Sequence, residues 1–263
     1  MNNLSIGIMQ GRILPKFIDR LQVFPINTWR EEFSVAKDIG FQHVELLWDG
    51  EQDIKNAKGL TCFMSETPHL HTPSICVDSI CSCTSLQGML NEIIDVIDTF
   101  KENTPSILVI PLLGEATINT THKLKEFIDE VNTHNIKNLL QTYNVKLALE
   151  LDMHPSKIIE AMESTDLEFI GICLDSGNLW HYSATPIQDI RTLSKKIIHV
   201  HIKDRDLSGD NVLLGDGIVD FRTFFEVLKD IEYSGLMTLE TKYFKNPLDE
   251  VKKNFKYISK IVQ

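Results

Sequence analysis

Apolar residues fall into two alternating patterns along the chain. Short runs rich in Ile, Val and Leu recur at LSIGIM (from Leu4), HVELL (from His43), SICV (from Ser74), SILVI (from Ser106), VKLALEL (from Val145), FIGICL (from Phe169), KIIHVHI (from Lys196) and GLMTLE (from Gly235). Runs that are apolar at nearly every position read as parallel strands buried on both faces. Between them the spacing turns helical. Trp29, Phe33, Val35, Ala36 and Ile39 form one stripe, and Leu90, Ile93, Ile94, Ile97 and Phe100 a second. A third runs through Leu124, Phe127, Ile128, Val131, Ile136 and Leu140 after the capping pair Thr120 and Thr121. Phe221, Phe224, Phe225, Leu228 and Ile231 form a fourth, and an amphipathic helix over Asp249–Val262 closes the chain. Eight strand–helix units predict an α/β fold, the (β/α)8 TIM barrel, as one domain over residues 1–263. An open doubly wound sheet would usually carry a Gly-rich phosphate loop after its first strand, and Met9-Gln10-Gly11-Arg12 is not one. The second unit, from Glu51 to Thr67, has the least clear helix.

Composition agrees with this and narrows the partners. The 263 residues suit one barrel, and no Pro/Gly/Ser-rich linker divides them. A formal net charge of -11 disfavours polyanions, so neither a nucleic acid nor a membrane is an expected partner. The five cysteines lack the spacing of a disulfide framework; Cys81-Ser-Cys83 is a weak metal signal. The first residues show no leader pattern and no apolar run is long enough to span a bilayer, so a cytoplasmic location is expected.

Candidate chemistry gathers where four strands end. Leu147-Ala148-Leu149 leads to Glu150, Ile172-Cys173-Leu174 to Asp175, Ile198-His199-Val200 to His201, and Met237-Thr238-Leu239 to Glu240. Barrel enzymes place their active sites at that face. Glu150, Asp175 and His201 are spaced by about one βα unit each, and the 39 positions from His201 to Glu240 imply a longer loop after the seventh strand. Three carboxylates and an imidazole at one spot call for a cation, and this donor set suits one divalent ion of Mn, Co, Zn or Mg. Any one of these acids could instead serve as a cap, as Asp175 could for the helix after it.

The chain resembles the xylose isomerase-like TIM barrel superfamily, specifically its sugar phosphate isomerase/epimerase branch. The resemblance is carried by Gly7–Arg12, Val44-Glu45-Leu46, Leu149-Glu150, Leu174–Asn178, the run His199-Val200-His201-Ile202-Lys203-Asp204-Arg205, Leu214-Gly215-Asp216-Gly217 with Asp220-Phe221, and Leu239-Glu240. It implies that Glu150, Asp175, His201 and Glu240 bind the metal. It further implies that Glu150 and Glu240 move a proton next to the carbonyl of a sugar or sugar phosphate, through an enediolate.

Arg12, Glu45, Asn178 and Arg205 are expected substrate contacts. Asn178 departs from the His often found there in such proteins. His199 is expected below His201 as a supporting side chain, and His181 near the pocket mouth. Lys203 and Asp204 are expected to pair within their loop, and His69 and His71 to sit in a loop. A metal-dependent lyase that dehydrates a polyol or keto sugar needs the same ligands. An endonuclease IV-like nuclease would need histidines that Ile107–Gly114 lacks, and a non-enzymatic sugar-binding barrel would not need the charge cluster. Outer helix faces of such barrels often pair, which leaves a homodimer open.

Overall fold

The computed structural model describes residues 5–15, 22–50, 72–163, 168–242 and 245–262. The second unit's helical segment, Cys62, His69 and His71 fall outside the described residues. Eight parallel strands close into a barrel in sequence order, β1 (Ser5–Met9), β2 (His43–Trp48), β3 (Ser74–Val77), β4 (Ile107–Pro111), β5 (Lys146–Glu150), β6 (Ile170–Asp175), β7 (Ile197–Ile202) and β8 (Leu236–Leu239). Pairing of Ser5–Ile8 with Leu236–Leu239 closes the ring. All eight predicted runs are strands.

Period-two alternation sends one side chain of each pair into the barrel and its neighbour toward the helices. The interior layer is small: Met9, Leu47, Cys76, Val109, Ala148 and Cys173 pack together there. Outward residues such as Ile8, Leu46, Ile110 and Leu149 join one large core with the helices. Glycine is required at β1, where a Cβ on Gly7 would stand 2.1 Å from the His43 ring.

Around the barrel lie α1 (Trp29–Ile39), α2 (Leu86–Phe100), α3 (Thr121–Val131), α4 (His134–Tyr143), α5 (Pro155–Met162), α6 (Ser176–Tyr182), α7 (Pro186–Leu193), α8 (Phe221–Asp230) and α9 (Pro247–Val262). The third predicted stripe is a correction: it is two helices, α3 and α4, and not one. Asn132 caps α3 and Thr133 takes extended angles (φ -61°, ψ 152°). Asn and Thr hold their backbone poorly in a helix interior, because their side chains compete for its hydrogen bonds. Both halves still bury their stripe, so periodicity continued across the break. The Thr120 hydroxyl accepts from the Lys123 N–H, as a cap should.

The loop between β7 and α8 is long, as the spacing implied, and it is ordered by Asp204. Its Oδ2 accepts from the N–H groups of Gly215 (2.9 Å) and Gly217 (3.0 Å), and its Oδ1 from that of Val219 (3.1 Å). Asp220 then caps α8 through the Thr223 N–H at 3.1 Å. The runs His199–Arg205 and Leu214–Phe221 are thereby one structural unit.

Candidate metal centre

Ligand atoms of Glu150, Asp175, His201 and Glu240 all lie within 4.8 Å of one another, and all four residues are buried. Strand register brings them together: Asp175 pairs with His201, and the Glu240 N–H bonds Ile202 O at 3.1 Å beyond the last residue of β8. His201 Nδ1 lies 3.1 Å from Glu240 Oε2 and 3.7 Å from Glu150 Oε2. Asp175 Oδ2, Glu240 Oε2 and His201 Nδ1 are all buried without a well-directed hydrogen bond. Three donor atoms left open toward one point fit a metal ion, whose ligands it holds roughly 2 Å away.

Support from beneath fixes the imidazole. Glu45 Oε1 accepts from His201 Nε2 at 2.8 Å, and Glu45 Oε2 lies 2.7 Å from His199 Nε2. Ser74 Oγ donates to Glu45 Oε2 at 2.6 Å, and Thr238 Oγ1 donates to the same oxygen at 3.2 Å. Burial works against the Glu45 charge, but the two histidines outweigh it and hold the carboxyl well below the usual range. An ionised carboxylate only accepts, so His201 Nε2 carries a proton and Nδ1 is the ring nitrogen that faces the cluster. Carboxylates that orient ligating histidines in this way are common in metal sites.

The motif Asp175-Ser176-Gly177-Asn178 divides its work among four residues. Asp175 Oδ1 caps α6 through the Asn178 N–H at 2.7 Å, while Oδ2 faces the cluster. The cap and ligand readings of Asp175 are thus compatible. Ser176 Oγ donates to Lys203 O at 2.7 Å and accepts from the Lys203 N–H at 2.9 Å. Gly177 leaves room for the side chains of Lys203 and Arg205, 3.2 and 3.3 Å from where a Cβ would stand. Asn178 Nδ2 donates to Glu150 Oε1 at 2.9 Å.

Lys203 corrects the sequence reading. It does not pair with Asp204: its Nζ lies 3.0 Å from Asp175 Oδ2 and 2.8 Å from Glu240 Oε2. Asp204 is occupied by the loop amides, and Lys203 continues the inward series of His199 and His201 by the same period of two. That alternation was the signal that would have found it. The protein therefore supplies a cation of its own to the cluster. Burial lowers the lysine's proton affinity, but Asp175 and Glu240 more than offset this and it stays charged.

The two glutamates differ. Burial, offset in part by Lys203 and reinforced by Glu240 and Asp175, pushes Glu150 up to about 8. Burial also acts on Glu240, but Lys203 and the His201 hydrogen bond overcome it and hold this carboxyl far below the ordinary range. For His201 burial lowers proton affinity, while Cys173 and Glu45 raise it by more.

Glu45 and Arg12 are both buried beside the cluster. Glu45 is the floor of the cluster, fully enclosed. Arg12 is 1% exposed; its Nε donates to Thr241 O at 2.8 Å and its Nη2 to Gln22 Oε1 at 2.5 Å. Gln22 Nε2 in turn donates to Glu240 Oε1 at 2.8 Å, a brace that no sequence spacing marked. Asn178 borders a small cavity beside the cluster together with Glu150, Cys173, Asp175 and Tyr182. Arg205 is half-buried at the start of the loop, with Nη1 donating to Gly209 O at 3.2 Å. His181 packs against Gly209 of that loop. Cys81 and Cys83 point their thiols at Pro111 O and Ser79 O, and they form no metal-capable group among the described residues.

The fold and cluster define a parallel barrel with a buried acidic–histidine centre at the C-terminal ends of β5 to β8. The family described as xylose isomerase-like TIM barrel matches residues 135–261, which hold all four clustered residues. This is the family that the motifs resemble, and the match covers the C-terminal half of the barrel. It is 27% identical over 260 residues to an L-ribulose-5-phosphate 3-epimerase of Salmonella paratyphi A, covering 86% of this chain and 87% of that protein. It is 28% identical over 131 residues to an inosose dehydratase of Histophilus somni (strain 129Pt), covering 41% of this chain. That match spans 44% of the dehydratase, less than half its length. A solved structure described as the IOLI protein with a binding zinc atom superposes with a TM-score of 0.74 at 16% identity, covering 98% of each chain. At that identity the likeness concerns the fold. No helix among the described residues is long and apolar enough to cross a membrane.

Proposed function

We propose that the chain works as one domain, holds a single divalent ion through Glu150, Asp175, His201 and Glu240, and isomerises or epimerises a small sugar or sugar phosphate. The observation that carries this reading is the convergence of four buried donor atoms within 4.8 Å at the barrel's C-terminal face. An ion held there by Glu150, Asp175, His201 and Glu240 would supply Lewis acidity for the negative charge that develops on a substrate carbonyl oxygen when the adjacent carbon loses its proton. Glu150 ends β5 and Glu240 follows β8, the outer two of the four ligand-bearing strands. In the metal-free protein their proton affinities are displaced in opposite directions; a bound metal favours the ionised form of both, so one takes a proton from the substrate and the other returns one with the bound substrate supplying the driving force. Return of the proton to the opposite face of the same carbon inverts it; return to the neighbouring carbon converts ketose to aldose. Asn178 orients Glu150, and Asn178 and Arg205 are the groups placed to meet substrate oxygens. Arg12 and Glu45 hold the centre from its flank and floor.

Proton NMR in deuterated water tests this with a panel of ketoses and their phosphates and added Mn, Co, Zn or Mg. Deuterium should enter at a carbon next to the carbonyl, and Glu150→Gln and Glu240→Gln should each abolish turnover while the protein stays folded. Substantial activity in either variant would sink the assignment of that glutamate. The inosose dehydratase match favours one second reading, a metal-dependent lyase, for which the product would have lost water.

A further inference from the structure

We propose that Lys203 is a built-in counter-ion that holds the centre's place for the metal and must leave when the metal arrives. The inference rests on the metal-binding reading above. The ammonium touches Asp175 Oδ2 and Glu240 Oε2 (3.0 and 2.8 Å), which are two of the three open donor atoms of the centre. A divalent ion bonded to those oxygens would stand close beside the ammonium in a buried site, where like charges repel strongly. The two cations therefore compete for the same two carboxylates.

The placement is built by several residues. Ser176 clamps the Lys203 backbone through both its N–H and its carbonyl. Gly177 leaves space for the stem. Lys203 is 6% exposed, so its charge has no solvent to fall back on while the carboxylates hold it. A buried acid cluster without a cation strongly destabilises a fold. Lys203 removes that penalty from the metal-free protein, and the cost reappears as weaker metal binding. The lysine has a four-carbon flexible stem, so its ammonium can leave the two carboxylates while Ser176 keeps the backbone in place.

The test compares wild type with Lys203→Met and Lys203→Gln, which keep the stem and remove the charge. Calorimetric titration with Zn or Mn should show affinity rising at least about tenfold in both variants, the equivalent of one lost charge-assisted hydrogen bond. Melting temperature should fall in the metal-free variants and recover when metal is added. In wild type, an amine-acylating reagent followed by mass spectrometry should label Lys203 faster with metal than without, which needs no variant to fold. Unchanged or weaker affinity, or an equal loss of melting temperature with and without metal, overturns the inference. So does labelling that ignores metal. If neither wild type nor variant takes up any metal, the metal-binding reading itself fails; if only the variants take it up, the competition is confirmed in its strongest form.

Discussion

Replacing Glu45 with glutamine should damage the centre without touching any proposed ligand. The carboxylate has two oxygens and four partners: His201 Nε2 at 2.8 Å, His199 Nε2 at 2.7 Å, Ser74 Oγ at 2.6 Å and Thr238 Oγ1 at 3.2 Å. Glutamine keeps one acceptor oxygen. Its NH2 group would replace an acceptor oxygen in a network of donors, so the network loses its charge and at least one acceptor. Breaking a buried ionic network on one side costs about 3–5 kcal/mol. In a chain of this size each kcal/mol moves the melting temperature by about 2–4 °C, so a fall of roughly 10 °C is expected. Metal affinity should also drop about 10–100-fold, because the His201 ring loses the group that fixes its proton on Nε2. Thermal unfolding without metal and calorimetric titration with Zn measure the two effects separately. A melting point within 2 °C of wild type, together with unchanged affinity, would refute the role given to this residue.

Two further outcomes follow from the same geometry. Glu150 is raised in the metal-free protein, so its contribution to stability is fully present below the ordinary carboxylate value of 4.5 and is lost as pH rises toward about 8. The metal-free protein should lose stability over that window, and metal uptake at pH 7 should release protons, seen as a heat that differs between buffers of different ionisation enthalpy; buffer-independent heat would contradict it. Gly217→Ala would put a Cβ 2.3 Å from Arg205 O and from Asp204 Oδ1. Neither can move, because Asp204 holds three loop amides, so a loss of about 1–3 kcal/mol is expected in denaturant unfolding; a neutral result would mean the loop is not ordered as described.

The barrel was legible because its strands are buried on both faces and read as continuous apolar runs. The four clustered residues were legible because each follows such a run, which fixes its height in the barrel. What the pattern could not show was which neighbours share that height. Lys203 lies just past β7 in a run that reads as a polar loop, so it was paired with its sequence neighbour Asp204; the inward alternation of His199 and His201 in fact extends to it. Glu45 lies inside β2 and Arg12 beyond the end of β1, and their side chains turn to the floor and flank, where Ser74, Thr241 and Gln22 meet them. Those contacts join residues distant in sequence, and no local spacing encodes them. The break between α3 and α4 escaped because both helices keep one buried stripe.

Anomalous diffraction from crystals soaked in Mn or Zn tests the central claim most directly. The account predicts one peak, about 2 Å from Glu150, Asp175, His201 Nδ1 and Glu240, with the Lys203 ammonium moved away from Asp175 and Glu240. A peak bound instead by Cys173, His199 and His201, or no peak at the four-residue cluster, would contradict it.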